Sequence, residues 1–375
     1  RDKDGNWCKL VGSAYQSLIT GLNGTVYCMA EGPDGKIYVG GAFTNAGGVE
    51  SADYLARWNP VTEVWEAVIA GINGAVRCMD FDANGDLYIG GIFTAINAVV
   101  VGKIAKIINL TGSPSVATWG GAGISAGSVY SIFVTPLSSG KPIYGIYIGG
   151  SFTSVDSVPN TNHIARWTGS AWQALSTGLN NIVDSIVYSP GGNLYIGGDF
   201  TDAAYPYLCK WNGSAFSVVG TNMDINGEIY ALTFDETGRL YIGGNFTDAG
   251  GISGADYIAR WTGSSWEALG TGVNSFVFRI IVSSGKVYAT GKFMVAGGLT
   301  LTDRVAVFTN GAWQPLDVDL PGIEAINAIL PASDGSLYIG GEFTGTAKTG
   351  IVVPNLNVTS ASANTYPFIQ IHGPG

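Results

Sequence analysis

Short runs of apolar and aromatic residues alternate along the chain with clusters of Gly, Asn, Asp and Ser. Residues 229–269 show the unit: Ile229-Tyr-Ala-Leu-Thr-Phe234, the turn Asp-Glu-Thr-Gly238, Leu240-Tyr-Ile-Gly-Gly-Asn-Phe246, a Gly-rich loop, Tyr257-Ile-Ala-Arg-Trp261, Thr-Gly-Ser-Ser265 and Trp266-Glu-Ala-Leu269. Runs of this length bounded by turn residues predict four short β-strands. The first two are joined by a tight turn in nearly every copy: Asp34-Gly35, Asn84-Gly85, Gly191-Gly192, Thr237-Gly238, Ser284-Gly285 and Asp334-Gly335. Dipeptides of this kind supply the positive φ angles that two-residue hairpins require.

The second strand carries a phrase that recurs seven times, as IYVGGAFT from Ile37, LYIGGIFT from Leu87, IYIGGSFT from Ile146, LYIGGDFT from Leu194, LYIGGNFT from Leu240, a degenerate VYATGKFM from Val287, and LYIGGEFT from Leu337. Gly40 and Gly340 are 300 residues and six periods apart, a mean period of 50. A fixed period of this length marks a closed array of four-stranded units. The expected fold is all-β, a seven-bladed β-propeller of four-stranded antiparallel blades at about 25–70, 75–122, 128–177, 182–221, 228–272, 276–318 and 325–375 plus 1–19, forming one domain. Residues 1–18 match an outermost strand and Tyr366–His372 a third strand. The ring is therefore expected to close by the N-terminal strand pairing with the C-terminal blade, which removes exposed edges.

Aromatic pairs mark the third and fourth strands: Trp58 and Trp65, Trp167 and Trp172, Trp211 and Phe216, Trp261 and Trp266, Phe308 and Trp313. They are expected to fill the widening outer gaps between blades. Hydrophobic run, Gly-Gly, then spaced aromatics is a pattern that resembles the Kelch-type blade. The phrases Ile-Ala-Arg-Trp-Thr-Gly-Ser-x-Trp and Leu-Tyr-Ile-Gly-Gly-x-Phe-Thr are also similar to repeats in bacterial surface proteins and in phage tail or virion-associated proteins. That resemblance implies a setting outside the cell, at a cell surface or on a virion, and no particular activity.

Composition narrows the function. Charged residues make up 12% of the chain and the net charge is −10, with no run of Lys or Arg, so a nucleic-acid backbone would be repelled. No apolar stretch is long enough for a membrane-spanning helix, and no membrane insertion is expected. Beginning at Arg1 rather than Met, the chain is expected to be a processed or excised piece.

The four cysteines have no metal-type spacing, and Cys28 and Cys78 share a repeat position where other copies carry Ser131, Ser185, Ala231 and Ala328. That slot asks for a small side chain, and the thiols are expected to be free.

No catalytic signature is present. The two histidines, His163 and His372, fall in different blades, and neither a Gly-x-Ser-x-Gly elbow nor a His-Glu-x-x-His motif occurs. Asp80-Phe-Asp82-Ala-Asn84-Gly85-Asp86 fits the first half of a calcium loop, but Gly91 stands where its bidentate Glu should follow, so the stretch reads as a hairpin turn. No metal and no cofactor is expected.

The candidate binding residues lie on one rim. Asn23, Asn73, Asn180, Asn226 and Asn274 precede successive first strands in register, with Glu324 as the candidate equivalent in the last copy. Each Asn offers a donor and an acceptor, suited to a sugar or carbonyl ligand and equally to a turn. Arg57, Lys106, Arg166, Lys210 and Arg260 recur beside the third-strand aromatic and are expected to pair with acids or stack on Trp faces. The leading reading is a non-catalytic, surface-displayed binding or scaffold module, whose partner is a protein in a larger assembly or a cell-surface glycan. The alternative is a metal-assisted hydrolase or lyase acting on a glycan or lactone at the channel mouth, using acids such as Glu324, Asp224 and Asp184.

Overall fold

A computed structural model describes residues 8–11, 14–17, 21–117, 123–124, 126–135, 145–221, 224–300, 304–316, 323–333, 335–343, 351–352 and 371–372. Each repeat hydrogen-bonds its strands in chain order. The first sheet runs Val26–Glu31, Ile37–Gly41, Leu55–Asn59, Val64–Ala67, and five more antiparallel sheets of four strands follow the same path, with first strands Val76–Phe81, Val129–Val134, Val183–Tyr188, Ile229–Phe234 and Val277–Ser283. The first strands pack side by side around a central channel, and Ile323–Pro331 completes the ring between Val277–Ser283 and Val26–Glu31.

Among the described residues the architecture is an all-β propeller with six complete four-stranded blades, where seven were expected. At the remaining position Ile323–Pro331 pairs with Ser336–Phe343, and the third-strand place beside Ser336–Phe343 is shared by two short pieces, Ile351–Val352 and Ile371–His372. No Trp follows the last Gly-Gly phrase, so this copy lacks the aromatic pair that marks the third and fourth strands in five of the others.

The expected closure by the N-terminal strand is also corrected. Cys8–Val11 pairs with Ala14–Ser17, the two flanking Gly12-Ser13 in the sequence. A glycine-first dipeptide favours a local hairpin, and closing a short loop costs less chain entropy than reaching the far end of the chain. Trp7 and the expected rim loop around 345–365, Ile351–Val352 aside, lie outside the described residues.

Glycine sets the spacing of the blades. The second strands are buried along most of their length, and a Cβ built on Gly40, Gly90, Gly149, Gly197 or Gly243 would lie 2.7, 2.7, 2.4, 2.6 or 2.6 Å from Val76, Val129, Val183, Ile229 or Val277 of the next blade. Such approaches exclude any side chain. The degenerate sixth copy carries Thr290 there instead, fully buried, with a hydroxyl that has no hydrogen-bond partner.

The aromatic pairs sit directly opposite each other across the third and fourth strands, with ring centroids 4.8–5.4 Å apart. They also join neighbouring blades, since Trp266 packs in one cluster with Leu208 and Val219 of the preceding sheet. The sequence expectation for these pairs therefore holds.

Candidate functional site

Each first strand breaks register at an equivalent place near its start, between Val26 and Cys28, Val76 and Cys78, Val129 and Ser131, Val183 and Ser185, Ile229 and Ala231, Val277 and Arg279, and Ile326 and Ala328. A bulge inserts one unpaired residue and re-aims its side chain. The seven bulged residues are Tyr27, Arg77, Tyr130, Asp184, Tyr230, Phe278 and Asn327, and all seven line a cavity of about 310 Å³ at the channel mouth. Sequence reasoning singled out only Asp184 among them. The signal was present as the one variable residue between a β-branched position and a small one in six of the seven copies, and it is read only once the bulge is known.

The tier below is the small-residue slot. Cys28, Cys78, Ser131, Ser185, Ala231 and Ala328 line a second cavity of about 230 Å³, and the sixth copy places Arg279 in that ring of small side chains. Ser131 and Ser185 accept hydrogen bonds from the backbone N–H of Ile186 and Leu232 in the following blade, at 3.1 Å each. Cys28, Cys78 and Cys209 are free thiols. Burial pushes Cys28 up to about 12, with the Arg279 charge opposing the rise.

Charge is divided across the mouth. The Arg77 guanidinium lies between the rings of Tyr27 and Tyr130, 5.2 and 5.0 Å from their centroids, in cation–π geometry. On the blades opposite, Asp184 and Glu228 line the same cavity, and Asp184 Oδ2 is sealed from solvent without a hydrogen-bond partner. Burial, then repulsion from Glu228, pushes Asp184 up to about 8, and burial raises Glu228 as well. Asn245 ties this wall together by donating to Glu228 at 3.2 Å and to the Tyr230 hydroxyl at 3.1 Å.

The asparagine rim surrounds this mouth. Asn23, Asn73, Asn180, Asn226 and Asn274 are all exposed, and each side-chain oxygen accepts from the backbone at the end of the Gly-Gly-x-Phe-Thr phrase, from Thr44, Thr94, Thr201, Thr247 and Met294 at 2.8–2.9 Å. Asn23, Asn73 and Asn226 also donate to the threonine hydroxyl. The ring thus staples the loop entering each first strand to the loop leaving the second. Glu324 is not in register with it, because Ile323 occupies the equivalent position and Glu324 lies within the strand at a further register shift.

The other sequence candidates are dispersed. Asp224 accepts from Thr221 N at 2.8 Å and from Trp266 Nε1 at 3.0 Å, away from Asp184. The acids proposed for metal-assisted chemistry are not brought together, and among the described residues no group of three or more His, Cys, Asp or Glu is placed to hold a metal ion. In the calcium-like stretch, Asp82 caps its own turn and faces Lys106, which pairs with Asp86 at 2.8 Å. Arg57 pairs with Glu66 at 2.8 Å and Arg260 with Glu267. The rings under Arg57, Lys106, Arg166 and Arg260 are the second-strand tyrosines Tyr38, Tyr88, Tyr147 and Tyr241, at 5.1–5.9 Å, rather than tryptophans.

With blades, channel and bulged mouth in place, comparison with known sequences becomes informative. Residues 10–106 and 160–319 match the sequence model of the Rax2 C-terminal beta propeller domain. The chain belongs to that family. No curated protein matches it. Among solved structures, the GH74 enzyme of Niastella koreensis is similar with a TM-score of 0.56 and 15% identity, over 92% of this chain and 54% of that one. YCF48 bound to D1 peptide is similar at 0.53 and 16%, over 90% and 97%, and the WD40 beta propeller domain of Doa1 at 0.51 and 14%, over 90% and 94%. At these identities the likeness is one of fold.

Proposed function

We propose that this Rax2-type propeller is a non-catalytic binding module that recognises a protein partner with the face around the channel mouth. One observation carries the reading. Of the nine large apolar side chains exposed among the described residues, seven lie on that face: Ile92, Val99, Val100, Ile252, Phe276, Met294 and Leu299. They stand in the connections that enter the first strands or leave the second, where a rigid scaffold presents variable loops. Apolar groups gathered on one face mark an interaction surface. The peptide held by the YCF48 propeller shows that a protein of this fold can take such a ligand. The setting proposed, at a cell surface or on a virion, draws on the resemblance of the repeat phrases to surface and tail proteins.

The hydrolase alternative draws on Asp184, whose raised carboxyl suits a general acid. Its neighbour Glu228 is engaged by Asn245, and among the described residues no group of three or more His, Cys, Asp or Glu is placed to hold the metal ion this reading needs.

The test is an array of peptides and glycans probed with the protein and with a Val100→Asp/Met294→Asp variant. Saturable peptide binding that the variant loses is expected. Binding that survives unchanged, or binding to glycans alone, would refute a protein-binding face.

A further inference from the structure

Two guanidinium groups enter the channel, and the one acid that acts on either of them, Asp184 on Arg279, does so from across the cavity without an ion-pair contact. Arg77 and Arg279 come from the first strands of the second and sixth blades, and both line the upper and the lower cavity, so their charges face one channel. Arg77 Nε is sealed from solvent and has no hydrogen-bond partner, and the hydrogen bond found for Arg279 is from Nη1 to its neighbour's carbonyl, Phe278 O, at 2.9 Å. Among the described residues neither forms an ion pair.

Arginine stays charged in proteins, and a guanidinium drawn into a channel with few hydrogen-bond acceptors favours an incoming anion. The arrangement is not an accident of a loop. Arg279 stands where every other copy has a small residue, beside Thr290, which stands where every other copy has glycine.

We propose that Arg77 and Arg279 form an anion pocket in the channel that takes the carboxylate of a ligand entering at the mouth. The proposal rests on reading the mouth face as the binding face and names the chemistry taken at its centre. Guanidinium forks match a carboxylate. Glu228, which lines the same cavity, repels a dianion more than a monoanion, so a carboxylate is favoured over phosphate. The organic part of the ligand meets the aromatic rings of the upper tier, Tyr230 and Phe278 among them.

The test is calorimetric titration of the whole chain with acetate, D-glucuronate and a short peptide with a free C-terminal carboxylate, each beside its uncharged counterpart (acetamide, D-glucose, the amidated peptide), and with inorganic phosphate. Saturable binding of a carboxylate, absent for its counterpart, is expected, and which of the three binds identifies the source. Arg279→Ala and Arg77→Met should each weaken it at least about tenfold, the effect of losing a charged hydrogen bond. Arg279→Ala restores the side chain that Ala231 and Ala328 provide in this slot, so the fold should persist, which an unchanged circular dichroism spectrum verifies. No carboxylate binding, equal binding by Arg279→Ala, or tighter binding of phosphate would overturn the proposal. Loss of peptide-array binding in the Val100→Asp/Met294→Asp variant would leave the face reading standing even then, so the two can fail separately.

Discussion

Gly340 and Val26 close the ring: a Cβ on Gly340 would lie 2.6 Å from Val26 Cγ1, the same relation that Gly40 has to Val76 and Gly243 to Val277. Glu31 secures the seam by accepting from Ser333 N at 2.8 Å and from the Ser333 hydroxyl. Chain ends more than 300 residues apart are thereby joined by the contact that joins any two neighbouring blades. Gly340→Val should destabilise the protein by roughly 1–3 kcal/mol, as overpacking does. Gly112, whose Cβ would meet nothing within 4 Å, is the control, and Gly112→Ala should shift the urea midpoint little. Equal midpoints for the two variants would mean that the seam does not hold the ring.

The asparagine staples make a separate prediction. Asn73 accepts from Thr94 N and Ala95 N at 2.8 and 3.0 Å and donates to Thr94 Oγ1 at 2.9 Å. Asn73→Ala should lower stability by about 1–2 kcal/mol, the net worth of such bonds, while Asn73→Asp keeps both acceptor bonds and should lose less. A thermal scan of the two variants checks the order.

Thr290 invites a stabilising change. Its hydroxyl is buried and unpaired, and an unsatisfied buried polar group costs about 1–3 kcal/mol. Thr290→Val keeps the shape and removes the hydroxyl, so its melting temperature should rise. A fall would show that the hydroxyl is satisfied in solution.

Asp184 ties stability to pH. Burial and Glu228 raise it to about 8 in the folded protein, against about 3.9 for an unperturbed Asp. Between those values the folded state holds the proton more tightly than the unfolded one, so the contribution of Asp184 to stability falls as pH rises from about 4 to about 8 and then levels. The groups around it are Glu228, Asp199 and Arg279, with Asn245 donating to both Glu228 and the Tyr230 hydroxyl. Asp184→Asn should therefore raise the melting temperature more at pH 9 than at pH 4, and an equal gain at both would remove the raised carboxyl from the account.

Much of the site was within reach of the sequence, but only half of its meaning. Asn23 and its four equivalents were legible as a ring, because they recur in register. That each amide is engaged by its own blade's Thr or Met backbone follows from a contact about 21 residues away. Arg279 illustrates the converse. It was plain in the sequence and passed over, because only the bulge before it shows that it fills the small-residue slot facing the channel.

The sequence by itself determined the all-β repeat, the four-strand unit, the turns between first and second strands, and the aromatic pairs, because these rest on local spacing and on residues whose backbone or packing preference is strong. Tertiary structure decided what depends on distant parts of the chain meeting. It split the third-strand place beside Ser336–Phe343 between two segments, left six complete blades among the described residues, and turned Tyr27, Arg77, Tyr130 and their equivalents into the mouth of one channel. A residue's neighbours around a ring come from other blades, some 50 residues away in sequence, and only closure of the ring brings them together.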